Sequence, residues 1–294
     1  MPNYRIDRTL SLKLVQPLRQ WMGHAHDSKL PILMYHGIRA EASTSGHPFF
    51  ETRTAPKVFA AQMRYLHDRG YRTVDLDEAA ALLATRQNVS KVVVITFDDG
   101  FIDFYSSAFP VLVECSFSAT VFVVPGFLQG SGGTPRGNAY MSWEEVREIH
   151  EYGMQVGSHT MNHTELQKLP WNAVKNELID SRKAIEDMLN CPVPSFAYPY
   201  AFPEHDRGYI RGVKACLEEA GYRHAVTTVV GSASRNSDPF LLPRIPINTY
   251  DDIELFEAKL SGAYDWVRAA QYARKLLSQS RGERERQMAT TATV

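Results

Sequence analysis

Hydrophobic positions recur with two periods along this chain, and the two take turns. Short apolar runs of strand length fall at residues 31–36, 71–74, 91–97, 119–124, 154–157, 195–198, 224–229 and 241–247. The run at 91–97, with Val92, Val93, Val94 and Ile95 in succession, has the unbroken β-branched character of a strand buried on both faces. Between the runs, apolar residues fall three and four apart, the spacing of a helix with one buried face. Phe59, Met63 and Leu66 form one such stripe, stopped by Gly70. Others cover 77–86, 104–115, 142–153, 171–189 and 209–220, the last stopped by Gly221. Ser142 followed by Glu145 predicts a capping box, and Pro110 predicts a bend or restart within 104–115. Strand alternating with helix predicts an α/β fold with parallel strands and crossover helices, closed into a barrel or left as an open sheet.

The flanks read differently. Residues 1–30 form an extension with Leu10, Leu14, Leu18 and Trp21 at helical spacing, near Arg8, Lys13 and Arg19. A helix packed on the domain is the expectation, with peripheral membrane contact through residues 8–22 as the alternative. Residues 31–250 carry the alternating pattern. Residues 251–279 read as a C-terminal helical segment, with a helical pattern over 252–278, and the polar tail 280–294 is expected to be disordered. Residues 40–56 and the glycine-rich stretch 126–138 read as loops.

Composition narrows the function classes. A chain of 294 residues, 44% of them hydrophobic, is long enough for a large core. Its net charge of −1 provides no field that would recruit nucleic acid. No stretch reaches the ~20 apolar residues of a transmembrane span. Asp7, Arg8, Lys13 and Arg19 interrupt any signal-peptide core, so a cytoplasmic or membrane-peripheral location is expected. Cys115, Cys191 and Cys216 are widely spaced and odd in number, as free thiols would be.

Two strings carry the candidate chemistry: Thr96-Phe97-Asp98-Asp99-Gly100 and Ser158-His159-Thr160-Met161-Asn162-His163. Each follows a predicted strand, as do Tyr35-His36-Gly37 and Ala197-Tyr198-Pro199-Tyr200. In barrels and open α/β sheets that rim is where ligands bind. One Asp and two His make three protein ligands, which leave a tetrahedral metal an open position for water. The second carboxylate is then free to act as a base, and the pattern points to metal-assisted hydrolysis.

These motifs resemble those of the polysaccharide deacetylases (carbohydrate esterase family 4, the NodB homology domain), over roughly residues 31–250. Met34-Tyr35-His36-Gly37-Ile38 and the form of the third motif resemble the permuted branch that contains the biofilm poly-N-acetylglucosamine deacetylases. The resemblance implies a distorted (β/α) barrel of about seven strands. It implies Asp98 as catalytic base, Asp99, His159 and His163 as metal ligands, and His36 as general acid. The Tyr200 backbone N–H would hold the oxyanion, and Arg244 would orient Asp98. The metal would be Zn²⁺, with Co²⁺ or Ni²⁺ accepted by the same ligands. The substrate would be an N-acetylated glycan containing N-acetylglucosamine. An O-acetyl esterase, a lipid-linked glycan deacetylase and a non-catalytic carbohydrate-binding protein are the alternatives.

Two positions depart from the family pattern. Phe196 stands near the place where many members carry an arginine, and Arg244 is the candidate to supply that charge. Ala201 follows Tyr200 in place of the usual glycine, which bears on the turn that would hold the oxyanion. Tyr140, Trp143, Phe202 and Tyr209 are candidates for a sugar platform, with core packing the alternative for each. The other seven histidines, among them His24, His26 and His47, are assigned no role.

Overall fold

The computed structural model describes residues 5–21, 29–40, 48–85, 87–128 and 139–275. The expected tail 280–294, most of the loop 126–138 and His24, His26 and His47 lie outside the described residues. Among the described residues the strands are β1 (Lys29–Leu30), β2 (Ile32–Tyr35), β3 (Arg72–Thr73), β4 (Val92–Phe97), β5 (Thr120–Val123), β6 (Gln155–Ser158), β7 (Ser195–Ala197), β8 (His224–Val230), β9 (Ala233–Ser234) and β10 (Leu242–Pro246).

Seven of them close into a parallel ring in the order β2-β10-β8-β7-β6-β5-β4. Closure comes from β2, which pairs β10 through Ile245↔Leu33 and β4 through Leu33↔Ile95 and Tyr35↔Phe97. The expected seven-stranded barrel is therefore present. β3 adds a short parallel rung to β4, and β1 with β9 forms a separate antiparallel pair.

Strand periodicity explains why β4 is buried throughout. Successive side chains point to opposite faces. Val93, Ile95 and Phe97 pack outward with Phe59, Met63 and Phe104 of the surrounding helices. Val92 and Val94 join Ile32, Phe122, Ala197, Val226 and Leu242 in the bore, with Leu76, Ala79 and Leu82 of the helix Leu76–Ala84 packed against the same cluster. Phe122 fills the bore so closely that a Cβ on its neighbour Gly157 would lie 2.5 Å from the ring. Thr96 and Asp98 continue the inward parity, which brings Asp98 to the mouth of the bore.

The outer helices follow the sequence pattern closely. Trp171–Leu189 is one helix, ended by Asn190 in the left-handed region, and Ser142 and Glu145 form the reciprocal capping box. Pro110 leaves its mark as expected. A π-turn at Phe104–Ala108, in which the Phe109 N–H reaches back to the Phe104 carbonyl, precedes the α-helix Phe109–Glu114. The wider turn accommodates a residue that has no N–H to give.

Two expectations need correction. The helix expected over 252–278 is broken: Ile253–Leu260 is helical, residues 261–266 form turns, and helix resumes at 267–275. Gly262, at φ 74°, is the point where the helical hydrogen-bond ladder cannot continue. The N-terminal segment is helical from Ile6 to Trp21, but it does not pack through the stripe that its spacing singled out. Leu14, Leu18 and Trp21 are exposed, Trp21 at 85%. The helix is instead seated by polar contacts: Tyr264 donates to Asp7 Oδ2 at 2.7 Å, and Trp266 donates to Ser11 Oγ at 3.0 Å. Leu12 and Val15 then pack against the cluster of Leu255, Tyr264 and Val267. Among the described residues no helix is long and apolar enough to cross a membrane.

Candidate metal centre and base

Every ring strand hands over to a loop at one rim, and there the backbone takes conformations that few side chains adopt. Asp99 (φ 78°), Thr160 (64°), His163 (53°) and Tyr200 (60°) are left-handed. Such residues cost about 1–3 kcal/mol each and persist where surrounding contacts over-determine them. Their clustering at the ends of β4, β6 and β7 turns side chains back across the mouth of the bore. The Ala201 departure carries no strain, because the left-handed residue of that turn is Tyr200 itself.

Asp98 still belongs to the ladder: its N–H donates to the Tyr35 carbonyl at 3.0 Å. Its carboxylate accepts both arms of Arg244, Nη1 to Oδ1 at 2.6 Å and Nη2 to Oδ2 at 2.7 Å. Arg244 is fully buried. Its Nε donates to the Thr227 carbonyl at 3.0 Å and its Nη1 to Thr96 Oγ1 at 3.2 Å. The Thr96 hydroxyl in turn donates to the Leu33 carbonyl at 2.7 Å. Burial pushes the Asp98 carboxyl up, but the Arg244 guanidinium and then His159 outweigh it, and the group lies below the usual carboxylate range. Asp98 is thus an anion at neutral pH, held in one orientation by a planar fork. Phe196 points outward into the helix-packed core, so the bore's positive charge comes from β10 rather than β7.

Asp99 faces the other way, toward the two imidazoles. Its Oδ1 lies 3.5 Å from His159 Nε2 and 3.1 Å from His163 Nε2. One donor atom from each of the three residues lies within 4.8 Å of the others. His159 is fixed by its N–H to the Val123 carbonyl at 2.9 Å and by Nδ1 against the Ala197 carbonyl at 2.8 Å. That contact assigns a proton to Nδ1 and leaves Nε2, the atom that would bind a metal, facing Asp99. Burial raises the Asp99 carboxyl, yet the hydrogen bonds from His159 and His163 hold it well below the usual range. Burial pushes His159 down, and Asp98 and Asp99 more than reverse this, so it titrates above the ordinary imidazole value. The donor set fits a divalent cation: one carboxylate and two imidazole nitrogens converge, with neighbours that orient the first imidazole.

His36 leaves β2 on the far side of Asp98, with Nε2 3.9 Å from Oδ2, close but not hydrogen-bonded. Tyr200 comes to the same mouth, where its hydroxyl lies 3.3 Å from His163 Nδ1. The Thr228 hydroxyl donates to the Tyr200 carbonyl and accepts from the Phe202 N–H, both at 2.9 Å. Gln271 on the 267–275 helix holds the Thr228 carbonyl at 3.0 Å.

All seven residues singled out in the sequence therefore meet at the mouth of the barrel, Arg244 reaching it from inside the bore. Thr96, Thr227 and Thr228, which brace them, were not singled out. Thr96 shares the inward parity of Asp98, two positions away, and that was the available signal; the other two carry no motif. Of the platform candidates only Tyr140 reaches the mouth. The bridge Phe101↔Tyr140 places it beside Gly100, and its ring stands 5.0 Å from Phe127, which neighbours His163. Phe202 and Tyr209 pack instead with Tyr198 and Trp171, and Trp143 packs against the main core.

Comparison with known proteins agrees with this arrangement. The family model for polysaccharide deacetylase matches residues 85–225. A Bacillus subtilis protein named for polysaccharide deacetylation, YxkH, is 33% identical over 229 residues, which is 78% of this chain and 75% of that one. The poly-beta-1,6-N-acetyl-D-glucosamine N-deacetylase of Staphylococcus aureus is 23% identical over 200 residues, 65% of this chain and 66% of that one. Among solved structures, the Streptococcus pyogenes deacetylase PplD in complex with acetate is similar at a TM-score of 0.69 and 28% identity. That likeness covers 80% of this chain and 99% of that one.

Proposed function

Because this chain belongs to the polysaccharide deacetylase family, we propose that it hydrolyses the N-acetyl groups of an N-acetylglucosamine-containing polysaccharide or oligosaccharide and releases acetate. The observation that carries this reading is the division of labour between adjacent carboxylates. Asp98 is locked to Arg244, while Asp99 is turned to two histidines. The similarity to the poly-beta-1,6-N-acetyl-D-glucosamine deacetylase supports the choice of sugar.

Asp99, His159 and His163 would hold Zn²⁺, or Co²⁺ or Ni²⁺ with the same donors. Such an ion would supply a Lewis acid that lowers the pKa of water toward neutrality and polarises an amide carbonyl. Asp98, ionised and fixed, takes a proton from the attacking water. The Tyr200 N–H would hold the oxygen on which negative charge develops, and removing one such donor costs about 3 kcal/mol. His36 gives a proton to the departing amine, which is a poor leaving group without it. Asp98 and His36 thus act on opposite ends of one proton transfer sequence.

The test is acetate release from N-acetylglucosamine oligomers by zinc-loaded protein beside its Asp98→Asn variant. Release by the wild type that is lost in the variant is expected. Absence of release from the wild type would end the N-acetylglucosamine reading, and equal release from both would remove Asp98 as the base.

A further inference from the structure

The two histidines are held by different means. His159 is anchored to the ring, by its N–H to β5 and by Nδ1 to the Ala197 carbonyl at the end of β7. His163 lies four residues further on, beyond a turn that has left the barrel. Besides Asp99, its ring meets the Tyr200 hydroxyl.

The turn itself is clamped from two sides. On one side the Gly126 N–H donates to the Met161 carbonyl at 2.9 Å, and the approach is so close that a Cβ at Gly126 would lie 2.6 Å from that oxygen. On the other side stands Glu177, on the helix Trp171–Leu189. Its Oε2 accepts the Asn162 main-chain N–H at 3.0 Å, and its Oε1 accepts the Asn162 side-chain amide at 2.8 Å. Asn162 is the residue immediately before His163. Left-handed Thr160 and His163 flank this short stretch, so a turn released from Glu177 has extended backbone conformations open to it, and these move the imidazole.

We propose that Glu177 is a positioning residue of the metal centre: by gripping Asn162 at two points it holds His163 in reach of Asp99 and His159. This rests on the reading that those three residues bind a divalent cation. Glu177 is not one of the three candidate ligands, Asp99, His159 and His163, and acts on them only through Asn162. A plain tie between helix and loop would contribute to folding alone, whereas a positioning residue acts on affinity for the ion.

The experiment measures zinc affinity by competition with a chromophoric chelator, and the visible spectrum of the Co²⁺-loaded protein. Wild type, Glu177→Ala and Glu177→Gln are compared, with thermal melts of the three metal-free proteins alongside. The glutamine has the same shape but offers one acceptor oxygen, so it keeps one of the two contacts and guards against misfolding of the alanine variant. The expected result is matching melts, with zinc affinity reduced about 10- to 100-fold in Glu177→Ala, less in Glu177→Gln, and an altered Co²⁺ spectrum. Equal zinc affinities in all three would overturn the positioning role and leave the metal centre standing. A wild type that binds no zinc, like a His163→Ala control, would overturn the metal reading and this one with it.

Discussion

The bore of the barrel and its rim hold their functional groups in opposite ways. In the bore, Asp98 and Arg244 meet side chain to side chain, out of water, at the end of β4 and within β10, with Thr96 and Thr227 fixing the guanidinium. At the rim, His163 and Tyr200 stand on left-handed residues in loops, braced by partly exposed groups such as Glu177 and Thr228. The difference separates two requirements. The charge on the base is set where the dielectric is low and a counter-ion is permanent. The placement of groups that must meet an ion and a bulky glycan is set where the backbone is shaped by removable contacts. Damage in the bore should therefore change protonation and folding together, whereas damage at the rim should change affinity or turnover in a protein that still folds.

The strongest attempt to break this division is Asp98→Asn. Acetate release should fall about 10²- to 10⁴-fold, the range of a lost general base, while zinc content by metal analysis stays at the wild-type level. Loss of zinc along with activity would mean that the two carboxylates do not divide their tasks.

Arg244→Met comes next. It leaves a carboxylate in the bore with no counter-ion, which should cost about 3–5 kcal/mol in denaturant unfolding. The same change removes the main pull that holds the Asp98 carboxyl low, so burial then dominates and its pKa rises. Asp98 must be ionised to act, so the acid limb of the pH–rate profile should move to higher pH. A stable variant with an unmoved acid limb would contradict the account of the bore.

His36→Ala should lower turnover on N-acetyl substrates by about 10²-fold, the lower end for acid–base catalysis, and spare metal content. An O-acetyl ester, whose leaving group needs less help, should suffer less. Equal losses on both would argue against His36 as the acid.

The smallest effect is expected at Thr228→Val, which removes the hydroxyl that joins the Tyr200 carbonyl to the Phe202 N–H. A lost, partly exposed hydrogen bond of about 0.5–1.5 kcal/mol should appear mainly in kcat, through the Tyr200 turn, with KM little changed. A change confined to KM would place Thr228 with substrate binding and not with the oxyanion.

Much of the bore was legible in the sequence and rather less of the rim. β4 was readable because four branched residues in succession admit little but a buried strand, and Asp98 follows it in phase. The helix Trp171–Leu189 was readable in full because it carries an uninterrupted apolar stripe. The convergence of His36, Asp98, Asp99, His159, His163 and Tyr200 followed from their shared place at strand ends, whereas Arg244, inside β10, was singled out by the family resemblance. The braces were not legible, since Glu177 reads as one more polar position on an amphipathic helix until the turn it grips is in view. The N-terminal helix misled for a related reason. Its apolar stripe was conspicuous, but Asp7 and Ser11 choose the buried face, through Tyr264 and Trp266, hundreds of positions away along the chain.

The closure of the ring between β2 and β10 also has a consequence for how the protein is made. Synthesis delivers β2 and β4 early and β10 late, and Arg244 lies 146 positions beyond Asp98. A partly synthesised chain therefore carries a bore carboxylate without its counter-ion and strand edges on β2 and β8 without their shared neighbour. Such edges are templates for pairing with another chain, and pairings this distant in sequence form slowly. The ribosome-bound barrel passes through a stage of exposure that ends only when its last ring strand arrives, and the same strand completes the base.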